Sequence, residues 1–183
     1  MKMVGIAGPA RSGKDTIGTH LLYDYGFTPL SFAAPLKKMI SAMLNVNLEW
    51  INDNKEIEIP VIGYSPRALL QTLGTEWGRR TLGTNTWVNI VHRQILELDP
   101  ATRGVVITDV RFENEADYIR GNGGIICHVT RPGITPVRAH ASEEGIRMDG
   151  SDYKIINDQD IYDVHKSVDT MMQLYPKLIK LRR

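Results

Sequence analysis

The segment V-G-I-A-G-P-A-R-S-G-K-D-T (residues 4–16) constrains the fold more than any other part of the sequence. The apolar run Met3–Ala7 predicts a buried strand, and the residues from Lys14 onward predict a helix. Between them, Gly8, Gly13 and Lys14 satisfy the spacing G-x-x-x-x-G-K. Glycines let such a loop point its N–H groups at phosphate oxygens, and the following helix adds its positive end. The segment therefore predicts a phosphate-binding loop in an α/β fold.

Several side chains of this loop are candidates for nucleotide binding. Lys14 supplies a point charge for the β- and γ-phosphates, and Arg11 can lie along a triphosphate or remain a solvated loop charge. Asp15 stands where serine or threonine commonly binds magnesium, and Thr16 follows it. Either Asp15 approaches the ion, directly or through water, or Thr16 reaches phosphate. The predicted donor-binding set in the loop is Gly8, Arg11, Ser12, Gly13, Lys14, Asp15 and Thr16.

The rest of the chain alternates short β-rich runs with longer segments of helical period. This alternation is typical of an α/β domain with a mostly parallel sheet. We expect strands at Met3–Ala7, Thr28–Phe32, Gly104–Thr108, Gly124–Thr130 and Tyr153–Ile156. We expect helices at Lys14–Tyr25, Pro35–Leu44, Pro66–Arg80, Trp87–Leu98, Glu113–Arg120 and Asp160–Pro176. The predicted fold is a three-layer α/β domain spanning residues 1–183, with five strands and helices on both faces of the sheet.

The pattern weakens between Asn45 and Ser65 into polar residues with isolated isoleucines. This stretch is either an irregular connection or a flap over a substrate. Together with the two helices that follow it, it forms a predicted helical insertion at about residues 45–100 that would bind an acceptor molecule.

Candidate acceptor-binding residues lie in and before this insertion. Arg67 and Gln71 are four residues apart on a predicted helix and therefore share a face, where one can hold a phosphate and the other a base edge. Trp77 can stack on a base or belong to the core. Lys37, after the second strand, can contact phosphate or be solvated. The acceptor-side candidates are Lys37, Arg67, Gln71, Trp77 and Arg79.

A carboxylate follows the buried run G-V-V-I-T. Asp109 would lie at the carboxyl end of a strand, where open α/β sheets bind ligands. It is a candidate for orienting magnesium or for accepting a hydrogen bond from an acceptor group, and Arg111 is a candidate for bridging donor and acceptor phosphates. The alternative for both is a structural ion pair.

A second arginine-bearing loop follows the fourth predicted strand. Arg131 begins a segment punctuated by glycine and proline, and we expect residues 131–147 to form a lid over ATP. His140 in this segment has no metal-ligand spacing and can fasten the lid instead. Asn157, after the last strand, is a candidate for the adenine edge or a turn residue.

Composition excludes several other classes of protein. No run approaches the ~20 apolar residues that span a membrane, and the N-terminus has no secretory signal pattern. The formal net charge of +1 argues against a nucleic-acid surface. The single cysteine, Cys127, lies in an apolar run and predicts a core thiol. We expect a cytoplasmic protein, monomeric or homodimeric.

These segments together resemble the deoxynucleoside monophosphate kinases of tailed bacteriophages and, more distantly, dephospho-CoA kinase and phosphomevalonate kinase. The resemblance covers nearly the whole chain. It depends on G-P-A-R-S-G-K-D-T, F-A-A-P-L-K, L-L-Q-T-L-G-T-E-W-G-R, T-D-V-R-F-E-N-E-A, H-A-S-E and I-I-N-D. Within that family the aspartate at Asp15 belongs to the pattern.

The resemblance implies a P-loop kinase that uses ATP and Mg²⁺ and phosphorylates a deoxynucleoside monophosphate in the bacterial cytoplasm during phage replication. Catalysis would fall to Lys14, Arg11, Asp109, Arg111 and Arg131, with magnesium near Asp15, Thr16 and Asp109. Two alternatives stay open. One is a kinase for dephospho-CoA or another small metabolite, and the other is a module that binds ATP as a regulatory or packaging switch.

Overall fold

The computed structural model describes residues 1–134 and 145–180. The chain divides into two compact units. The first contains residues 1–31 and 93–183, and the second contains residues 32–92. Among the described residues, no helix is both long and apolar enough to cross a bilayer.

The first unit is built on a parallel five-stranded sheet. Its strands are β1 (Lys2–Ala7), β2 (Phe27–Leu30), β3 (Gly104–Val110), β4 (Ile125–Thr130) and β5 (Tyr153–Ile156), in the order β2-β3-β1-β4-β5. Three helices accompany them: α1 (Lys14–Tyr25), α6 (Glu113–Gly121) and α7 (Ile161–Lys180). Strand β1 is central, and the chain therefore leaves it toward α1 at the middle of the sheet's carboxyl edge.

Helices pack on both faces of the sheet. Val4 and Ile6 of β1 belong to a core cluster that includes residues of α1 and α7. Gly5 points the other way, since a Cβ there would lie 2.6 Å from Cδ1 of Ile119 on α6. The unit thus has three layers. Cys127 is fully buried in the core, and burial raises the pKa of its thiol.

A polar cluster joins α1 to α7 at one side of this core. The buried His20 ring stacks on His165 with centroids 4.2 Å apart, and its Nε2 lies 2.8 Å from Oδ1 of Asp169. Tyr25 donates its hydroxyl to the same oxygen at 2.7 Å. Burial, followed by the bond to Asp169, raises the pKa of Tyr25 to about 12. These contacts hold the helix that carries the phosphate loop against the C-terminal helix.

The second unit is helical. It contains α2 (Ala34–Leu44), α3 (Leu48–Asp53), α4 (Pro66–Gln71), a π-helix (Thr72–Leu82) and most of α5 (Thr86–Leu96). Ser65 caps α4, because its hydroxyl accepts a hydrogen bond from N–H of Ala68 at 3.3 Å. An antiparallel bridge between Ile59 and Tyr64 closes the turn before α4.

Trp87 contacts the π-helix at two of its glycines. Its indole Nε1 donates to the carbonyl of Gly74 at 2.8 Å. The ring lies against Gly78 so closely that a Cβ there would be 2.2 Å from Trp87 Cζ2. The indole therefore adds a tertiary hydrogen bond to the backbone of the π-helix.

The structure confirms the predicted fold class and shifts several boundaries. Two predictions are wrong in detail. The predicted α-helix Pro66–Arg80 is α-helical only as far as Gln71 and π-helical beyond it. The stretch from Asn45 to Ser65 contains a helix, α3, that the weak apolar pattern did not reveal. The predicted acceptor-binding role of residues 45–100 stays a prediction.

Candidate functional site

The loop between β1 and α1 has a backbone that requires glycine at two positions. Gly8 has φ 153° and Gly13 has φ 104°. A Cβ at Gly8 would lie 2.3 Å from the carbonyl oxygen of Val129, and one at Gly13 would lie 2.4 Å from Nδ2 of Asn157. Both the conformation and the space therefore exclude a side chain. Arg11 also has a left-handed φ, of 65°, and its side chain is exposed.

Lys14 folds back across this loop. Its Nζ donates to the carbonyl of Gly8 at 2.8 Å and to that of Pro9 at 2.5 Å. The ammonium group is thus held at the mouth of the loop by weak, neutral acceptors. Phosphate oxygens are stronger acceptors for an ammonium group than carbonyls are, so an incoming phosphate can take over these bonds.

Asn157 fastens the loop from the other side. Its side-chain Nδ2 donates to the carbonyl of Ser12 at 2.9 Å, and its backbone N–H donates to the carbonyl of Thr130 at 2.7 Å. The carboxyl end of β5 is thereby tied to the phosphate loop. Ser12 is fully buried, and its Oγ has no hydrogen-bond partner within the described residues.

The carboxyl end of β3 lies beside the start of the phosphate loop. Ala7, which precedes Gly8, pairs with Val110. The register between β1 and β3 shifts at this point, since two steps along β1 from Gly5 correspond to three steps along β3 from Ile107. The shift brings the half-buried Asp109 to the edge of the sheet. There, the Ser31 hydroxyl donates to Oδ2 of Asp109 at 2.7 Å.

Arg111 follows Asp109 on a backbone held by Glu115. The buried Glu115 carboxylate accepts the N–H of Arg111 at 2.8 Å and that of Phe112 at 3.1 Å. This is the reciprocal half of a helix capping box, in which the third residue of a helix reaches back to the residue before it. The start of α6 and the position of Arg111 are fixed together.

One predicted donor-side residue remains to be placed, and it is Arg131, directly after β4. It is exposed. Since His128 of β4 pairs with Ala7 of β1, Arg131 leaves the sheet at the same edge as the phosphate loop. Most of the predicted lid, with His140, falls in residues 135–144 and lies outside the described residues.

The first unit therefore brings two groups to one edge of the sheet: the predicted donor-side residues, and Asp109 and Arg111, which were predicted to contact the acceptor as well. They are the loop residues from Gly8 to Thr16, with Asp109, Arg111, Arg131 and Asn157 around them. Carboxylate and hydroxyl oxygens are available there from Asp15, Thr16 and Asp109. The described residues contain no group of three or more His, Cys, Asp or Glu side chains arranged to hold a metal ion.

The other predicted acceptor-side residues all lie in the second unit. Lys37 donates to Oδ1 of Asn52 on α3 at 2.9 Å, and Nε of Arg67 donates to Glu56 at 2.5 Å. Gln71 is one helical turn from Arg67 on α4.

The two remaining acceptor-side candidates differ in exposure. Trp77 is 40% exposed, so the core tryptophan of this unit is Trp87 and not Trp77. Arg79 is buried and donates to the carbonyl of Thr84 at 3.0 Å.

Sequence reasoning missed Ser31 and Glu115. Ser31 follows β2 at the same edge of the sheet at which β3 ends with Asp109 and Val110, and this position was the available signal. Glu115 stands three residues after Phe112, which is the spacing of a capping box.

Comparisons with known proteins show which proteins this chain is similar to. A family model described as deoxynucleotide monophosphate kinase matches residues 42–168. A protein of Acanthamoeba polyphaga mimivirus, provisionally named deoxynucleotide monophosphate kinase, is 33% identical over 92% of this chain and 94% of its own length. The deoxynucleoside-5′-monophosphate kinase of Escherichia phage T5 is 32% identical over 58% of this chain and 45% of its own length.

A more distant relative and a solved structure extend this picture. The deoxynucleotide monophosphate kinase of Enterobacteria phage T4 is 24% identical over 89% of this chain and 62% of its own length. The dephospho-CoA kinase of Campylobacter jejuni covers 97% of this chain and 98% of its own, with a TM-score of 0.50 and 16% identity. This last likeness is one of fold.

Proposed function

The chain belongs to the deoxynucleotide monophosphate kinase family and is a kinase, and we propose that it transfers the γ-phosphate of ATP to the 5′-phosphate of a deoxynucleoside monophosphate. The observation that carries the proposal is the phosphate loop with Lys14 at its mouth, beside Asp109 at the same edge of the sheet. A phosphate loop alone indicates nucleotide binding. A carboxylate beside it can help to hold the magnesium ion that phosphoryl transfer requires.

The donor side is proposed to bind ATP through the loop backbone and its charged side chains. Lys14 would exchange the carbonyls of Gly8 and Pro9 for phosphate oxygens. Arg11 would lie along the triphosphate. Asn157 would act through the loop, because its amide is bonded to Ser12, and this contact supports a loop-positioning role over one at the adenine edge.

Magnesium is proposed to bind with the nucleotide. This ion prefers oxygen ligands and is commonly held by one or two carboxylates together with substrate phosphates. Asp109 fits that requirement by its position, and Asp15 and Thr16 follow Lys14 at the start of α1. When bound, the ion would neutralise charge on the phosphates.

The acceptor is proposed to bind in the second unit. Arg67 and Gln71 share a face of α4, and Lys37, Trp77 and Arg79 are the other candidates. The ion pair with Glu56 restrains the Arg67 side chain through Nε, and the guanidinium group is suited to binding a phosphate.

Transfer is proposed to proceed in line. An oxygen of the acceptor phosphate attacks the γ-phosphorus as the bond to the β-phosphate oxygen breaks, and ADP leaves. The protein does no covalent chemistry in this step. It holds the two nucleotides and neutralises the charge on the transferring group through Lys14, Arg11, Arg111 and Arg131.

A panel of acceptors tests the function. The purified protein is incubated with ATP and Mg²⁺, and with each deoxynucleoside monophosphate, each ribonucleoside monophosphate and dephospho-CoA in turn. We expect formation of at least one deoxynucleoside diphosphate with equal release of ADP. Phosphorylation of dephospho-CoA alone would support the metabolite-kinase alternative, for which the shared fold is the observation. ATP hydrolysis without any phosphorylated acceptor would contradict both.

The proposed setting follows from the substrates. ATP and deoxynucleoside monophosphates are cytoplasmic metabolites, and the named relatives are viral proteins. We therefore expect the enzyme to work in the cytoplasm of an infected cell, in bacteria if the source is a phage. A monomer or a homodimer remains the expectation for its assembly.

A further inference from the structure

Ser31 has a direct contact with the proposed catalytic carboxylate. It is half-buried, follows the last residue of β2, and donates its Oγ hydrogen to Oδ2 of Asp109 at 2.7 Å. The two residues are separated by 78 positions in the sequence. The pairing of Leu30 with Ile107 brings them together, because it aligns the ends of β2 and β3.

The backbone of β3 also changes where Asp109 emerges. The extra residue between Ile107 and Val110 is a bulge-like irregularity in the ladder with β1. Bulges of this kind re-aim a side chain beside an active site. The terminal torsion of an aspartate is broad, and the hydrogen bond from Ser31 narrows it for Asp109.

We infer that Ser31 is a positioning residue for phosphoryl transfer, which holds the Asp109 carboxylate in the orientation that metal-bound ATP requires. The inference rests on the proposed function in one respect, namely that Asp109 interacts with Mg²⁺ and nucleotide. A hydrogen bond to a carboxylate restrains its plane and withdraws charge from one oxygen. Removing the hydroxyl removes this restraint on the Asp109 carboxylate.

Nucleotide binding with and without metal separates this role from a structural one. Isothermal titration calorimetry would measure ATP affinity in Mg²⁺ and in EDTA for the wild type, Ser31→Ala and Ser31→Cys. Ser31→Cys keeps the shape of the side chain with a larger terminal atom and offers only a weak donor. Ser167→Ala is the matched control, because Ser167 also donates its hydroxyl at 2.9 Å, but to a backbone carbonyl within α7.

In the wild type, ATP should bind more tightly in Mg²⁺ than in EDTA. We expect the ratio of these two affinities to be about tenfold smaller in both Ser31 variants, which is the effect of one hydrogen bond to a charged group. Their ATP affinity in EDTA should equal that of the wild type, and kcat should fall with a higher requirement for Mg²⁺. Ser167→Ala should match the wild type throughout. If Ser31→Ala unfolds at a lower temperature, the cysteine variant, which leaves no cavity, decides whether the hydroxyl positions Asp109.

Three results would overturn the inference: an unchanged gain from Mg²⁺ in both variants, an equal loss of affinity with and without the metal, or no gain from Mg²⁺ in the wild type. The proposed function fails separately, when the wild-type protein phosphorylates no monophosphate. The calorimetric comparison still decides the role of Ser31 in that case.

Discussion

Arg11 is the residue whose backbone departs most from ordinary preferences in the phosphate loop. Two neighbours with positive φ are glycines, but Arg11 has φ 65° with a full side chain. A left-handed conformation costs a residue with a Cβ roughly 1–2 kcal/mol relative to glycine. Such strain clusters at functional sites, where the surrounding structure maintains it. The position and exposure of Arg11 therefore support a role for its guanidinium in binding phosphate.

Replacing Arg11 with glycine should separate stability from activity. We expect the free energy of unfolding to stay within about 1 kcal/mol of the wild type, because relief of the strained φ offsets the greater chain entropy of glycine. We expect kcat/KM for ATP to fall about tenfold or more. Urea unfolding and steady-state kinetics measure the two quantities.

Asn45→Gly is the control for this change, since Asn45 is the other described non-glycine residue with positive φ, at 53°. It should change neither quantity appreciably. Full activity of Arg11→Gly would show that the side chain has no part in binding ATP.

Residues of the site were predictable where their signal is local. The glycines and Lys14 follow from spacing within one loop, and Asp109 follows from its place after an apolar strand. The partners Ser31 and Asn157 were not predictable in their observed contacts. Those contacts depend on which strands lie next to each other, and the sequence of a strand does not specify its neighbour.

At the scale of elements, the π-helix is the feature furthest from its sequence-based expectation. It mixes helix formers such as Leu73, Glu76 and Arg80 with glycines and threonines, in a pattern that also fits an α-helix. What distinguishes it is tertiary: Trp87 fills the space against Gly78 and bonds to the carbonyl of Gly74. A helix type that depends on a tryptophan several residues later is invisible to periodicity alone.

Alanine at the two glycines of the π-helix should have unequal effects. A Cβ at Gly78 would lie 2.2 Å from the Trp87 ring, whereas one at Gly74 would lie 3.1 Å from Cδ1 of Leu36, the end of a flexible side chain. We expect Gly78→Ala to destabilise the protein by about 2 kcal/mol or more, as overpacking does. Gly74→Ala should cost less than about 1 kcal/mol. Thermal and urea unfolding of the pair test this, and equal effects would contradict it.

A second element-level feature is the ionic network that anchors residues 145–152. The Asp152 side chain is fully buried and pairs with Arg120 of α6 and His128 of β4. Arg147 is tied to α6 as well, since its N–H donates to Glu113 at 2.6 Å and its carbonyl accepts from Arg120 at 2.9 Å. Burial opposes ionisation of Asp152, but the hydrogen bonds from His128 and Arg120 outweigh it and hold the pKa of the carboxyl well below its usual range.

Asp152→Asn should destabilise the protein in a pH-dependent way. Near neutral pH the loss should be about 3 kcal/mol, because Arg120 loses the acidic partner whose side chain is fully buried and keeps only the more exposed Glu113 and Asp117 nearby. A depressed folded-state pKa gives stability that is complete above the unfolded pKa of about 4 and is lost as the pH falls below it. The difference between wild type and variant should therefore shrink in acid.

Urea unfolding measures this difference in free energy at neutral pH and at about pH 3, which lies below the ordinary carboxyl pKa. Asp117→Asn is the control, because Asp117 is 72% exposed and lies 3.6 Å from Arg120. It should change the free energy of unfolding by less than about 1 kcal/mol. A pH-independent difference for Asp152→Asn would contradict the assignment.

For the whole molecule, alternation of strands and helices was enough to predict the parallel sheet and its three layers. The buried strands are nearly all apolar, and helices of clear period separate them. Local sequence preferences and tertiary packing therefore favour the same strands and helices. The division of the chain into two units was less accessible. Helix α3 has few periodic positions, and the segment around it mixes polar and apolar residues without a regular spacing.

The central claim is that the phosphate loop of the first unit binds ATP and, through Lys14, promotes transfer of the γ-phosphate to a deoxynucleoside monophosphate. The most direct test follows γ-labelled ATP in a single turnover with the accepted monophosphate, for the wild type, Lys14→Ala and Lys166→Ala. Lys166 is an exposed lysine on α7 and serves as the matched control. We predict label in the deoxynucleoside diphosphate for the wild type and Lys166→Ala, and none for a Lys14→Ala protein with a wild-type unfolding temperature. Near wild-type transfer by Lys14→Ala would contradict the account.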